Sequence, residues 1–306
     1  MTKRIAVVGA AGFIGSHVME ELAAQNIAAE GFDFNVDGHY AQKYVDVTRP
    51  KEELLRTIGN DAPSGIISLA GVLGTHELFE NPERAVQVNV LGQYNIAWVA
   101  NTLDIPVVMI EQPHVWVNLY ETTRGAGIRM ARALAASKGL KLATVMAFNA
   151  FGPRQDYGPG HPQKIIPTFS VAAWNGEYAP IFGSGNQVVN LVHAVDIAKV
   201  MIAAVDHARP GHDTPNFYGA SEDGNLTTNE VYRLVYEHVG MSVADVNPHV
   251  PMRDGELDDE VGAPAPTGAL RRQRDILGVV PMLDDVLFAD AIDYYKGYET
   301  YYGIST

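Results

Sequence analysis

The chain of 306 residues contains no cysteine. That excludes disulfides, thiolate zinc sites and thiol nucleophiles, and it is compatible with a reducing cytoplasm. Basic residues are also scarce: 22 Lys and Arg stand against 36 Asp and Glu, a formal net charge of −14 at pH 7. Nucleic acids and anionic membranes are polyanions, so neither is an expected partner, and an anionic substrate needs cations placed locally. No apolar run reaches the roughly 18 residues of a membrane helix, so a soluble chain is expected. Lys3 and Arg4 before a mostly apolar stretch imitate a secretory leader, but the glycine spacing and the helical pattern that follow argue against one. The ten histidines show no paired ligand spacing with carboxylates, so no metal is expected. Internal repeats and low-complexity tracts are absent as well.

What is present is organised around the first thirty residues. Ile5 to Val8 is an apolar run, Gly9, Gly12 and Gly15 follow, and an amphipathic stretch runs from His17 to about Gln25. This pattern reads as a buried strand, a tight turn through Phe13 and Ile14, and a helix start whose free amides and positive dipole end suit a pyrophosphate. Gly9 makes the turn, Gly12 lets the backbone approach the phosphate, and Gly15 lets helix and strand pack closely. Ala28 to Asp33 reads as the second strand, with Asn35 just beyond it. Asp33 lies 18 residues after Gly15, near the roughly 20 at which a carboxylate meets the adenosine ribose. A carboxylate there repels a 2'-phosphate, so NAD is favoured over NADP.

Alternation of apolar runs and helical patterns continues to about residue 150, the signature of a parallel sheet with crossover helices. Tyr44 to Val47 is a short strand that sets Asp46 and Val47 beside the adenine. Gly65 to Gly71 is the fourth strand, placing Leu69 and Ala70 beside the middle of the cofactor. A helix over 82–100, a strand over 106–111, a helix over 123–137 and a strand over 142–148 follow. Past Asn149, Gly and Pro cluster at a loop-rich boundary. Helices near 165–174, 195–205 and 226–240, a strand near 179–182, and short helices over 267–301 make up the rest. Gly183 to Gly185 reads as a turn, and 254–260 as a solvated acidic loop. The expected fold is α/β: a doubly wound, Rossmann-type parallel sheet over 1–155 with segments near 183–205 returning to it. A smaller C-terminal α/β lobe over 156–306 is expected to bind substrate.

Tyr120 and Arg124 open the helix before the sixth strand, and Asn149-Ala-Phe-Gly-Pro-Arg-Gln155 follows that strand. With Gly9 to Gly15, Leu69-Ala70, Asn89-Val-Leu-Gly92, Gly183-Ser-Gly185, Val192-His193 with Asp196, and Arg253-Asp-Gly-Glu256, these segments resemble the extended short-chain dehydrogenase/reductase family. Its members are NAD-dependent nucleotide-sugar epimerases and dehydratases.

The resemblance implies a bound NAD, a nucleotide-sugar substrate and a transient ketone, with Tyr120 as the base. Arg124 stands at the family's lysine and is expected to lower the tyrosine pKa and hold the ribose. Gln112 stands at the family's Ser or Thr, where its amide can donate a hydrogen bond but cannot relay a proton. Pro113 and His114 occupy the positions of the dehydratase Asp and Glu, which makes His114 a candidate second acid/base. Asn149 and Arg253 match residues that contact the substrate diphosphate. Val189 replaces a second arginine, and Lys164 and Arg154 are cations that can substitute. Phe182 completes the expected substrate contacts. Seven residues separate Gln112 from Tyr120, so the loop over the sugar is short and the pocket is open or closed by a neighbouring subunit. The helices over 82–100 and 123–137 imply a homodimer. Two alternatives stay open: a reductase or dehydratase acting on an atypical substrate, and a non-catalytic dinucleotide-binding regulator.

Overall fold

Aliphatic runs bounded by glycine and polar residues form the strands, and amphipathic stretches between them return the chain across the sheet faces. The computed structural model describes residues 3–36, 40–74, 77–115, 117–252 and 262–301. Arg253 and the acidic segment 254–260 therefore lie outside the described residues. The first half runs β1 (Arg4–Val8), α1 (Phe13–Ala24), β2 (Ala28–Asp33), β3 (Lys43–Tyr44), α2 (Lys51–Gly59) and β4 (Gly65–Ser68). A long helical stretch follows, composed of α3 (Pro82–Ala85), a π-helical segment (Val86–Gly92) and α4 (Gln93–Thr102). Then come β5 (Val107–Glu111), α5 (Leu119–Lys138), β6 (Leu142–Ala147) and β7 (Asn149–Phe151). The second half comprises α6 (Ile165–Trp174), β8 (Ile181–Phe182), β9 (Val188–His193), α7 (Ala194–Ala204), β10 (Asn216–Gly219), β11 (Asn225–Thr227), α8 (Thr228–Val239), β12 (His249–Val250), α9 (Thr267–Leu277) and α10 (Asp285–Asp293).

Seven strands form one sheet in the order β10-β6-β5-β4-β1-β2-β3, with every neighbouring pair parallel. Strand side chains alternate between two cores, as a doubly wound sheet requires. Ile5, Val7, Ile67 and Val108 bury against Val18 and Leu22 of α1 and Ile197 and Met201 of α7. Ala6, Val8, Ile66 and Met109 bury against Leu54 and Ile58 of α2, Ile96 and Val99 of α4, and Ile128 and Ala131 of α5. The chain order reverses between β1 and β4, so a crevice opens at the carboxyl ends of the strands, where α/β sheets bind ligands. A third core, with Phe151, Phe169, Leu191, Tyr232 and Tyr236, gathers α6, α8 and α10 over the β11-β9-β7 sheet.

Several boundaries differ from the sequence reading. α1 begins at Phe13 rather than His17, because Gly12 takes an extended conformation and serves as the N-cap directly inside the glycine turn. α5 begins at Leu119 because the Asn118 side chain accepts from the Glu121 amide and caps it. α8 begins at Thr228, where Thr227 and Glu230 form a capping box. The strand expected over 44–47 is Lys43–Tyr44. The return to the main sheet extends beyond 183–205: α7 packs on it, and β10 adds an edge strand beside β6 with Asn216 opposite Thr144. Among the described residues no helix is long and apolar enough to cross a membrane.

Candidate active site

The glycine turn after β1 is held by contacts that only glycine permits. Gly9 has φ +92°, and a Cβ there would lie 2.6 Å from the Ala70 nitrogen. A Cβ on Gly15 would lie 1.9 Å from the Gly9 carbonyl oxygen, whereas one on Gly12 would meet that oxygen at 3.4 Å. Gly9 and Gly15 are thus fixed by packing, while Gly12 leaves clearance on the crevice side. No side chain caps α1, and its first turn carries no acidic residue. The first amides of a helix have no acceptor behind them, so they remain available to an anion. At the end of β2, Asp33 accepts from Ala11 N at 2.8 Å through Oδ2 and from Asn35 N at 2.9 Å through Oδ1. Its carboxylate is thereby fixed beside the turn with lone pairs still open. Backbone donors at one end and a fixed carboxylate at the other fit the pyrophosphate and adenosine ribose of NAD.

Asp46 and Val47, expected beside the adenine, also make contacts within the protein. Asp46 Oδ1 accepts from both the amide and the hydroxyl of Thr48, at 3.0 and 2.8 Å, in a local turn. Val47 is a core residue whose carbonyl accepts from Asn95 Nδ2 at 3.0 Å.

A cavity of about 350 Å³ opens at the carboxyl ends of β5 and β6. Phe13 and Ile14 of the glycine turn, Gln112, Tyr120, Arg124, Asn149 and Lys164 all line it. Lys164 stands at the N-cap of α6. Residues read from distant parts of the sequence therefore meet at one wall. His114 does not join them: its side chain is 67% exposed and its Nδ1 pairs with Glu121 Oε1 at 2.7 Å. Phe182 ends β8 beside Val250 and is not part of the lining. A smaller cavity of about 150 Å³ lies against Gly12 and Phe13 and is bordered by Arg154 and Tyr40.

Tyr120 and Arg124 are one helical turn apart at the start of α5, so they share a face. Burial raises the Tyr120 pKa above the usual phenol value, and the Arg124 charge opposes that rise without overcoming it. Arg124 is 3% exposed. Its Nη1 donates to Ala70 O at 2.8 Å and its Nη2 to Ile110 O at 2.9 Å. The guanidinium fork thus staples the ends of β4 and β5 together, with two of its five donors. Gln112 is tied to the same helix. Its Nε2 donates to Glu121 O at 3.2 Å, and a carbonyl can only accept, which fixes the amide's orientation. Its Oε1 is left buried with no partner among the described residues. One of the two Nε2 N–H donors is thus committed to α5, and the amide keeps a second.

The model of the NAD dependent epimerase/dehydratase family matches residues 5–111 and 109–217. The chain belongs to this family. The UDP-glucose 4-epimerase of Lacticaseibacillus casei is 24% identical, with 92% of this chain and 93% of the relative covered. The structure of UDP-glucose 4-epimerase from Thermotoga maritima with UDP-glucose superposes with a TM-score of 0.81 at 20% identity, covering 96% of this chain and 98% of that one. A dTDP-glucose 4,6-dehydratase double mutant from Streptomyces venezuelae, solved with NAD bound, gives 0.78 at 21% identity and covers 96% and 97%.

Within this epimerase/dehydratase chain the sequence reading passed over several residues that shape the crevice. Glu111 and Glu121 both line the larger cavity, and Glu111 is anchored by Arg132 Nη2 at 2.9 Å. Their adjacency to Gln112 and Tyr120 was the available signal. Asn89 braces the loop after β4: its Oδ1 accepts from Val72 N at 3.0 Å, and its Nδ2 donates to Val72 O at 3.0 Å and to Thr123 Oγ1 at 3.1 Å. That asparagine was noted only as part of a motif. Among the described residues no cluster of His, Asp or Glu could hold a metal ion.

Proposed function

We propose that this chain is an epimerase or dehydratase that acts on a nucleotide-linked sugar through a transient ketone. The observation that carries this is the single cavity shared by Tyr120, Arg124 and Asn149 with Phe13 and Ile14 of the glycine turn. Tyr120 as phenolate takes the proton of a sugar hydroxyl while the hydrogen on the same carbon departs as hydride. NAD, when bound, supplies the hydride acceptor, returns the hydride later, and adds a positive charge near the phenol. Arg124 keeps a second positive charge beside Tyr120 and fixes the strand ends that border the reacting atoms. The ketone acidifies neighbouring C–H bonds, which permits loss of water, or it turns in the cavity and is reduced on its other face. Asn149 and Lys164 line the wall suited to the diphosphate, with Arg253 as a further candidate from outside the described residues.

A homodimer is part of this proposal. Val86 and Leu91 on the long helical stretch and Met130 on α5 are exposed at 51, 45 and 38%, on the helices that pair in the resembling family. A reducing, cytoplasmic location fits the lack of cysteine.

The decisive experiment incubates UDP-, GDP- and dTDP-sugars in D2O with wild type and Tyr120→Phe, read by NMR and mass spectrometry. Deuterium incorporation with otherwise retained mass establishes epimerisation, and loss of water establishes dehydration. Tyr120→Phe is expected to lower the rate by about 10²–10⁴-fold, the usual contribution of a positioned acid/base. Protein that binds NAD yet leaves every sugar nucleotide unchanged overturns the proposal.

A further inference from the structure

Arg154 sits in the turn after β7 with φ +70°, a left-handed conformation that non-glycine residues adopt only when their surroundings hold them there. Its side chain supplies that hold. Nε donates to Ser16 Oγ at 3.0 Å, and Nη2 donates to Glu20 Oε2 at 2.7 Å. The guanidinium carbon lies 5.9 Å from the Tyr40 ring centroid, and the Tyr40 hydroxyl in turn donates to Glu20. Ser16 passes the connection on by donating to Phe13 O at 2.9 Å. One arginine is thereby fastened at two points to the helix that opens at the glycine turn, and it lies over Tyr40, which is bonded to that same helix.

The residue after Arg154 faces the other cavity, while Asp156 lines the smaller one with Arg154. Gln155 lines the larger cavity together with Asn149 and Ala150. Its Nε2 donates to Ala150 O at 2.9 Å, and its carbonyl accepts from the Tyr295 hydroxyl at 2.8 Å. Arg154 itself lines the smaller cavity with Gly12 and Phe13. Consecutive residues thus address the two cavities, and Phe13 borders both.

We propose that Arg154 is a positioning residue that couples the two cavities: it straps the substrate-side turn to α1, so that a dinucleotide at the glycine turn and a nucleoside diphosphate in the larger cavity strengthen each other's binding. A pyrophosphate at the α1 N-terminus places negative charge beside a guanidinium already flanked by Glu20, and two anions on one cation hold it more firmly than one. A firmer strap keeps the strained turn in place, and with it the wall formed by Asn149, Ala150 and Gln155. Coupling between sites is reciprocal, so the diphosphate tightens the dinucleotide by the same factor. This inference rests on the nucleotide-sugar reading above.

The test measures NAD affinity calorimetrically on the full-length protein with and without saturating UDP, and again with dTDP. Wild type is expected to bind NAD about 5- to 20-fold more tightly when the diphosphate is present, within the usual range for coupled sites. In Arg154→Ala that ratio falls to below about twofold, and Arg154→Lys, which keeps the charge without the fork, restores part of it. Glu20→Gln removes the ion-pair anchor while leaving Arg154 and is expected to reduce the ratio too, which keeps the test usable if the alanine variant does not fold. A general loss of stability would weaken both affinities without changing their ratio. Diphosphate binding with a ratio unchanged in Arg154→Ala and Glu20→Gln overturns the inference and leaves the nucleotide-sugar reading standing. Failure of UDP, dTDP and their sugars to bind wild type at all overturns both.

Discussion

The two ends of the crevice are built by different means. At the glycine turn the determinants are backbone atoms: Gly15 touches the Gly9 carbonyl, Gly9 touches the Ala70 amide, and Asp33 is tied to Ala11 N. At the reacting end they are long side chains, and where each one lands depends on which partner reaches it first. Arg124 lands on two strand-end carbonyls, Gln112 on a helix carbonyl and His114 on Glu121. The first kind of site tolerates almost no substitution and therefore carries its function in its spacing. The second can change its chemistry while its residues stay near their positions.

The largest effect that sharpens this contrast is expected within the turn itself. Gly15→Ala puts a carbon 1.9 Å from a backbone oxygen, a clash no rotamer relieves, and is expected to destabilise the protein by at least about 3 kcal/mol or prevent folding. Gly12→Ala has room for its methyl and is expected to melt like wild type while binding NAD about tenfold more weakly, the loss of one charge-assisted hydrogen bond. Thermal denaturation and NAD titration of the pair check this, and a Gly15→Ala protein that folds and binds normally breaks the comparison.

Acid is next. His193 packs edge-on against His17 and Phe151, and its pKa is pushed down to about 4, first by burial and then by the charges of His17 and Lys199, with Asp284 opposing. The folded state thus binds this proton less readily than the unfolded chain, whose histidine titrates near 6.5. Its contribution is fully present above pH 6.5 and is lost as pH falls toward 4, by up to about 3 kcal/mol. His17 shifts in the same direction, again chiefly through burial. Urea unfolding across this window is expected to show the slope. His193→Asn, which retains an acceptor for the Val195 amide at the α7 N-cap, is expected to flatten it.

At the reacting end, Arg124→Lys keeps the charge but cannot span both carbonyls. Losing one charged hydrogen bond is expected to remove about 1.5–3 kcal/mol of stability. Denaturation measures that loss, while spectroscopic titration of Tyr120 reads the charge separately. The smallest effect is expected for His114→Ala. Its exposed pair with Glu121 contributes at most about 1 kcal/mol, and turnover is expected to stay at the wild-type level. A turnover defect as large as that of Tyr120→Phe would return His114 to the chemistry.

The same contrast explains what could be read in advance. Ala28–Asp33 and Ile165–Trp174 are found at the boundaries their patterns indicate, because local periodicity and flanking residues decide them. β9 and β10 were missed. Asn216-Phe-Tyr-Gly219 is too short and too mixed to register as a strand, and it becomes one only because β6 offers an open edge. The crevice residues were legible as residue types at family spacings, and Tyr120, Arg124, Gln112, Asn149 and Lys164 do meet. Their hydrogen-bond partners were not legible. No spacing in the sequence says that Glu121 O will claim the Gln112 amide, or that Glu121 itself will draw His114 away.

The late strand β10 also has a consequence for how the protein is made. Thr144 of β6 donates to Asn216 of β10 across 72 residues of chain. At synthesis rates of about 5–20 residues per second, that interval lasts roughly 4–14 seconds. Throughout it, the nascent sheet already carries the glycine turn and Tyr120 but presents the bare edge of β6, a template for mispairing with another emerging chain. The ribosome thus finishes the parts that bear the chemistry before the strand that seals the sheet, and chaperone demand should peak within that window.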